Sequence, residues 1–152
     1  MPPAVIAVIA DTHDRLPESV CDSIRSADEI WHLGDVCSSA ILVTLERLAP
    51  VRVVRGNCDS ESGWPLRLDF KLGGLRLHLE HIPSRKPPAC DIFLHGHTHV
   101  PRDETVGGVR FLNPGCITRP NRGSPASYAW LTIGDGEAIW KIMPVRNVPQ
   151  VW

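Results

Sequence analysis

The first 60 residues alternate short apolar runs with stretches of helical periodicity, and this alternation limits the chain to few folds. The run AVIAVIA is continuous and rich in Val and Ile, which is typical of a strand buried on both faces. Two further apolar runs follow, each after a segment with helical spacing. The resulting β-α-β-α-β order predicts a parallel sheet with right-handed crossovers. The five segments are residues 4–10, 16–27, 29–35, 38–49 and 51–59.

The second half of the chain has the pattern of β-hairpins. Apolar and polar residues alternate on either side of Gly73-Gly74, Gly107-Gly108 and Gly134-Asp135-Gly136, and glycine at such positions is typical of tight turns. Residues 90–96, CDIFLHG, add another buried strand. Together the two halves predict a mixed α/β sandwich with helices outside.

Length and composition indicate one ordinary globular domain over residues 1–152, with a loosely attached tail over 144–152. The formal net charge is -1 and no Lys/Arg run occurs, so the sequence carries no strong signal for a nucleic-acid partner. The apolar N-terminal run is too short for a membrane span and lacks a basic flank, so we expect neither a span nor a signal peptide. Five scattered cysteines fit a reducing cytoplasm better than a disulfide framework.

Polar side chains follow five of the predicted strands at the point where each ends. In an α/β sheet, ligands bind beyond the carboxyl ends of the strands. Asp, Asn and His supply the oxygen and imidazole ligands that suit divalent metals, although Asp and Asn are also common in plain turns. Seven such side chains suggest two metals that share one carboxylate, about 3.5–4 Å apart. The seven are Asp11, His13, Asp35, Asn57, His81, His97 and His99.

The motifs ADTHD, HLGDV, VRGNCD, EH, HGHTHVP and FLNPGC occur in this order over about residues 5 to 133. This ordered set resembles the calcineurin-like metallophosphoesterase superfamily, and in particular its small bacterial and archaeal phosphodiesterases. A retromer subunit shares their fold. The resemblance implies a four-layer α-β-β-α sandwich of two mixed sheets with helices outside.

The resemblance also implies a role for each candidate ligand. Asp11, His13 and His99 would hold the first metal, and Asp35 would bridge. The second metal would be held by Asn57, His81 and His97. The expected cofactor is a pair of divalent ions, with Mn favoured and Ni, Fe, Co or Zn as alternatives. A hydroxide bridging the metals would attack phosphorus in line, with catalysis assigned to Asp35, Asn57, His97 and Asp59.

Further roles are assigned around this centre. Asp59 is expected to accept a hydrogen bond from a ligand or the backbone, or else to cap a turn. Cys58 stands where many relatives have His, which favours diesters if it is not simply a packed residue, since a thiol is a poorer acid at pH 7. Arg119 and Arg122 are substrate-binding candidates with Asn57 and Cys58, and solvation is the alternative. Whether His95 is also a metal ligand is left open by the resemblance, because the family varies at this position.

Two departures from the family leave the function open. Relatives usually have HG where this chain has His81-Ile82. Relatives carry a longer, helix-bearing segment where this chain has only IPSRKPPAC, residues 82–90, and three prolines there predict an extended link with an open flank. A larger substrate or a partner subunit would fit that flank. The first hypothesis is a phosphodiesterase acting on a small-molecule phosphoester. The second is a non-catalytic scaffold of the same fold, and a homo-oligomer is compatible with both.

Overall fold

The computed structural model describes residues 2–60, 63–118 and 123–145. In these ranges the chain forms helices α1 (Glu18–Ile24) and α2 (Ser39–Glu46) and strands of two five-stranded sheets. The first sheet contains β1 (Ala4–Ile9), β2 (Glu29–His32), β3 (Val51–Val53), β9 (Ser127–Gly134) and β10 (Glu137–Pro144). The second contains β4 (Arg67–Leu72), β5 (Leu75–Glu80), β6 (Ile92–Leu94), β7 (Arg102–Val106) and β8 (Val109–Asn113).

The first sheet has the strand order β10-β9-β1-β2-β3. Strands β1, β2 and β3 are parallel, as the β-α-β-α-β pattern predicts, and the β9–β10 hairpin adds antiparallel to β1. Both helices pack on one face of this sheet, where Val20 and Leu45 join Ile9 and Ile30 in a buried cluster. The Ser38 side chain caps α2 by accepting a hydrogen bond from the Ala40 N–H.

The second sheet has the order β4-β5-β6-β8-β7, with hairpins β4–β5 and β7–β8 and parallel pairing of β5, β6 and β8. Alternate side chains of the two sheets meet in a buried core that includes Val8, Trp31, Leu79, Leu94 and Leu131. The mixed sandwich of two sheets with helices outside is therefore confirmed.

The outer face of the second sheet is built differently from that of the first. Its apolar centre is Phe93 and Phe111, which pack with Cys90 and Val109. Residues 82–91, which connect β5 to β6, contain no helix, as the prolines predict. Within the described part of the chain, both helices of the sandwich therefore cover the first sheet, and extended chain takes the place of the fourth, helical layer.

Pro144 and Val145, which the sequence assigns to a loose tail, are attached to the first sheet. Pro144 ends β10 opposite Ser127, and the Val145 N–H donates to the Ala126 carbonyl at 2.8 Å. The rest of the predicted tail, residues 146–152, lies outside the described residues. None of the helices in the described ranges has the length and apolar character needed to span a bilayer.

Candidate metal centre

The seven candidate ligands follow the carboxyl ends of five strands and meet at one end of the sandwich. Asp11 and His13 follow β1, Asp35 follows β2 and Asn57 follows β3. His81, His97 and His99 come from the second sheet, after β5 and β6. Both sheets thus contribute, as expected of an α/β fold that binds ligands beyond its strand ends.

The first group of side chains comprises Asp11, His13, Asp35 and His99, whose ligand atoms lie within 4.8 Å of one another. His13 Nε2 is 3.9 Å from Asp11 Oδ1 and 3.7 Å from Asp35 Oδ2. His99 Nε2 is 3.5 Å from Asp11 Oδ1. The group offers two carboxylates and two imidazoles to one ion, a donor set suited to a divalent transition metal.

A second group adjoins the first through Asp35. His81 Nε2 lies 3.3 Å from Asp35 Oδ2 and 3.8 Å from Asp11 Oδ1. The ring of His97 is 5.3 Å from that of His81, and its Nδ1 is 3.1 Å from Asn57 Oδ1. Asp35 therefore contacts members of both groups.

Two buried polar atoms at the centre indicate that it is built for a cation. Among the described residues, Asp11 Oδ1 and His81 Nε2 have no hydrogen-bond partner. The other ring nitrogen of His81 donates to the Leu33 carbonyl at 2.7 Å, which directs the Nε2 lone pair into the cluster. Leaving such atoms buried without a partner is costly, and a divalent ion would satisfy both.

The electrostatics of the centre also favour a cation. Although burial opposes it, the nearby His81 and the Cys58 N–H hold the pKa of Asp35 well below its usual range. The Asp11 carboxylate, followed by Cys116, raises the pKa of His99 to about 10. Burial opposes protonation of His81, but Asp35 and Asp11 raise its pKa. The carboxylates create a negative potential, which a divalent ion would neutralise.

Five of the candidate ligands have a left-handed backbone, which is unusual for residues with a side chain. The φ angles are positive at Asp11 (57°), His13 (45°), Asp35 (57°), His97 (72°) and His99 (63°). Such conformations cost about 1–2 kcal/mol each, and they concentrate at functional sites. Close packing adds to this, because a Cβ at Gly96 would lie 2.9 Å from Asp11 Oδ2. The backbone is bent so that the side chains converge.

Asp59 holds the loops of the centre in place. Its Oδ2 accepts hydrogen bonds from the backbone N–H groups of Asp35 at 2.9 Å and Gly56 at 2.7 Å, and its Oδ1 accepts one from the Cys37 N–H at 2.8 Å. Asp59 thus ties the loop after β3 to the loop after β2. Its contacts are to the backbone, so it positions Asp35.

The remaining candidates lie at the rim or elsewhere. Cys58 is exposed beside Asp35, and burial followed by the Asp35 charge raises the pKa of its thiol. His95 points away from the cluster, with Nδ1 on the Gly96 carbonyl and Nε2 on Arg102. Burial lowers the pKa of His95 to about 4. Arg119 and Arg122 lie outside the described residues.

The sequence pattern gave no role to several residues that support the centre. Buried Asn113 donates through Nδ2 to the Gly96 carbonyl and to Thr98 Oγ1, so it fixes the loop between His95 and His99. Buried His32 contacts Thr12 Oγ1 at 3.0 Å. The asparagine of FLNPGC, directly before Pro-Gly at a strand end, is the one sequence signal that points to such a role.

Comparison with known proteins identifies the family. The sequence profile described as the Calcineurin-like phosphoesterase superfamily domain matches residues 5–136, which is most of the chain. The chain belongs to this superfamily. The resemblance of the ordered motifs to metallophosphoesterases is therefore confirmed, and the family implies a divalent metal at the cluster of Asp11, His13, Asp35 and His99.

Similar proteins include a probable metallophosphoesterase, a phosphodiesterase and Vps29. A probable metallophosphoesterase of Methanothermobacter thermautotrophicus is 36% identical over 141 residues, covering 80% of this chain and 82% of that protein. The phosphodiesterase YfcE of Escherichia coli is 33% identical over 154 residues, covering 80% and 84%. The structure of Entamoeba histolytica Vps29 complexed with zinc superposes with a TM-score of 0.72 at 25% identity, covering 91% and 98%.

Proposed function

We propose that the protein is a dinuclear metal-dependent phosphodiesterase. The observation that carries the proposal is the position of Asp35, whose Oδ2 is 3.7 Å from His13 Nε2 and 3.3 Å from His81 Nε2. A single carboxylate between two sets of imidazoles is the arrangement that two-metal phosphoesterases require. Phosphodiesterase YfcE, among the similar proteins, supports the same chemistry.

In this proposal Asp11, His13 and His99 hold the first ion, Asn57, His81 and His97 hold the second, and Asp35 bridges. Manganese is the favoured metal. When bound, the pair of ions lowers the pKa of a water nucleophile and neutralises charge on the phosphate.

The residues of the chain supply positioning around the ions. Exposed Asn57 and His97 form the rim, and the Nδ2 group of Asn57 can donate to a phosphate oxygen while its Oδ1 would hold the ion. Asp59 fixes the bridging carboxylate through the Asp35 N–H. Arg119 and Arg122 are proposed to bind the substrate phosphate from the adjoining loop.

Cys58, at the rim of the centre, favours diesters over monoesters as substrates. Cys58 Sγ lies 3.7 Å from Asn57 Nδ2, and partial burial followed by the Asp35 charge raises the pKa of its thiol. A neutral thiol protonates a strongly basic leaving group poorly, so activated or diester leaving groups fit best. We further propose that the chain is one domain and that its substrate is a small-molecule diester. All five cysteines are free, which favours the reducing cytoplasm as the place where it acts.

The second candidate function is a scaffold for protein contacts. The neighbouring Vps29 structures favour it, because they share the fold across almost the whole chain. Against it stands the complete set of seven usable ligands, which a scaffold has no need to keep. Enzyme and scaffold differ in turnover, which is directly measurable.

The test is hydrolysis of bis-p-nitrophenyl phosphate by the metal-free protein after addition of Mn²⁺, Ni²⁺, Co²⁺ or Fe²⁺. We expect turnover with at least one metal, two ions per chain by elemental analysis, and loss of both in Asp35→Ala. Asp91→Ala, which removes a carboxylate from the opposite end of β6, is the matched control and should retain activity. Lack of turnover with all four metals would favour the scaffold.

A further inference from the structure

A groove runs along the second sheet from the metal centre. Next to exposed His97 and Thr98 it forms a cavity of about 630 Å³ that reaches Arg102 and Glu104 of β7. The same two residues line a second depression of about 530 Å³, which continues to Pro83 in the extended link. The groove therefore occupies the flank that the short link leaves open, and Arg102 lies between its two halves.

The guanidinium of Arg102 is held in place from three sides. Nη1 donates to His95 Nε2 at 3.2 Å, and Nη2 donates to Glu104 Oε1 at 3.3 Å. The Cζ atom lies 4.4 Å over the centroid of the Phe111 ring. His95 can accept this bond because its Nδ1 faces the Gly96 carbonyl, an acceptor, so its proton lies there. A preorganised cation loses little entropy when it binds an anion.

Two other arginines of the same sheet are already neutralised by carboxylates. Arg110 pairs with both oxygens of Asp103 at 2.9 Å, and Arg76 contacts both oxygens of Asp91. Arg102 instead donates one hydrogen bond to the neutral imidazole of His95 and one to Glu104, whose side chain is 59% exposed. These two bonds use two of its five N–H groups. Within the described ranges the other three N–H groups donate to no protein atom, so they remain for an anion in the groove.

We propose that Arg102 is a specificity residue that binds a second phosphate on the substrate, carried by the arm that lies in the groove. The inference rests on the proposed function, because the first phosphate must sit at His97 and Asn57. It names the substrate class as phosphodiesters that bear an additional terminal phosphate. The planar fork of arginine matches phosphate oxygens, which is the reason for choosing phosphate over a neutral group.

The kinetic test uses two chromogenic diesters that differ by one phosphate. These are thymidine 5′-(p-nitrophenyl phosphate) and its 3′-phosphorylated form, thymidine 3′-phosphate 5′-(p-nitrophenyl phosphate). We expect the wild-type protein with Mn²⁺ to prefer the 3′-phosphorylated diester, and Arg102→Gln to raise its KM about 10- to 100-fold, as expected for one charge-assisted contact. Hydrolysis of the diester without the 3′-phosphate should be unchanged.

The matched control is Arg76→Gln, which removes an arginine of the same sheet outside the groove and should alter neither KM. Arg102→Lys keeps the charge but not the fork, and we expect it to restore only part of the preference. An equal loss on both diesters in Arg102→Gln would mean that Arg102 only covers Phe111, and this would overturn the proposal. A wild-type enzyme without preference would overturn it as well.

A binding measurement separates this inference from the proposed function. Calorimetric titration of Mn²⁺-loaded protein with thymidine 3′,5′-bisphosphate and thymidine 5′-monophosphate should show about tenfold tighter binding of the bisphosphate, lost in Arg102→Gln. If neither diester is hydrolysed but this difference is found, the esterase proposal fails and the phosphate subsite stands. If the diesters are hydrolysed but the bisphosphate and the monophosphate bind equally tightly, the esterase proposal stands and the phosphate subsite fails.

Discussion

Both ends of the sandwich contain residues with positive φ angles, but the residue types at these positions differ. At the end opposite the metal centre, the three hairpin turns place positive φ angles mainly on glycines, at Gly73, Gly74, Gly107, Gly108 and Gly136. At the metal-centre end, positive φ angles occur at Gly34 and Gly115 but fall mostly on Asp, His and Cys residues. Glycine adopts these angles at little cost, whereas a residue with Cβ does so at about 1–2 kcal/mol.

The difference teaches that the metal-centre end gives up stability to place side chains. A glycine at position 35 or 97 would relieve the backbone but would offer no ligand. The strain is held by contacts from outside each loop, such as the three N–H groups on Asp59 and the two bonds from Asn113 Nδ2. The hairpin end needs fewer such supports because, apart from Asp135, its turns have glycine at the positive φ angles.

The largest effect is expected where a support of the metal-centre end is removed. Asp59→Asn puts an amide donor where a carboxylate oxygen now accepts an N–H, so one backbone N–H of the loops loses its acceptor. We expect a loss of about 2–3 kcal/mol in the free energy of unfolding. We also expect a fall of about 100-fold in phosphodiesterase activity, because Asp35 is no longer fixed. Urea denaturation and the bis-p-nitrophenyl phosphate assay measure both.

The matched control for Asp59→Asn comes from the opposite end of the sandwich. Asp91 also accepts a backbone N–H, that of Arg76 at 2.7 Å, but it precedes β6 and is far along the strand from the ligands. Asp91→Asn should cost less stability and should leave activity unchanged. Equal effects of the two substitutions on activity would contradict the view that Asp59 acts by positioning Asp35.

A smaller effect is expected from His32, which lies under the metal-centre loops. Burial, followed by His81, lowers the pKa of His32 to about 3, whereas an unfolded histidine titrates near 6.5. Below pH 6.5 the unfolded chain therefore binds a proton that the folded chain does not, and stability falls as pH falls. The loss is about 1.4 kcal/mol per pH unit, or about 2 kcal/mol between pH 6.5 and 5.

His32→Gln tests this by removing the titration while keeping both hydrogen bonds, since glutamine can accept from the Gly34 N–H and donate to Thr12 Oγ1. In metal-free protein, the wild type should lose about 2 kcal/mol more than the variant between pH 7 and pH 5. Other histidines contribute equally to both proteins, so the difference isolates His32. Parallel pH profiles of the unfolding free energy would show that His32 does not titrate as described.

The sequence predicts this contrast only in part. The β-α-β-α-β succession, the three hairpin turns and the convergence of Asp11, Asp35 and His97 follow from alternation and from the rule that strand ends meet. The supports do not follow, because the bonds of Asp59 to Cys37 and of His95 to Arg102 join loops and strands whose approach depends on packing. The extended chain over the second sheet does follow from the sequence, because the three prolines and short length of residues 82–90 exclude a helix there.

The smallest change in the free energy of unfolding is expected when a residue at each end is replaced by the residue type of the other end at a left-handed position. His97 is exposed with φ 72°, so His97→Gly relieves the angle and loses the side-chain contacts to Asn57 and to the His81 ring. In metal-free protein we expect a gain of about 1 kcal/mol in the free energy of unfolding, together with loss of metal-dependent activity. Gly107 has φ 58°, and a Cβ there would meet no atom within 4 Å.

Gly107→Ala should therefore lose about 1 kcal/mol through the backbone angle alone and leave activity unchanged. The opposite signs of the two substitutions follow from one cause, because each end would then carry the residue type of the other. Thermal and urea unfolding of both variants measure the exchange. If His97→Gly destabilised the metal-free protein as much as Gly107→Ala, the left-handed angles at the metal centre would be free of strain, and the ligands would be placed there without a loss of stability.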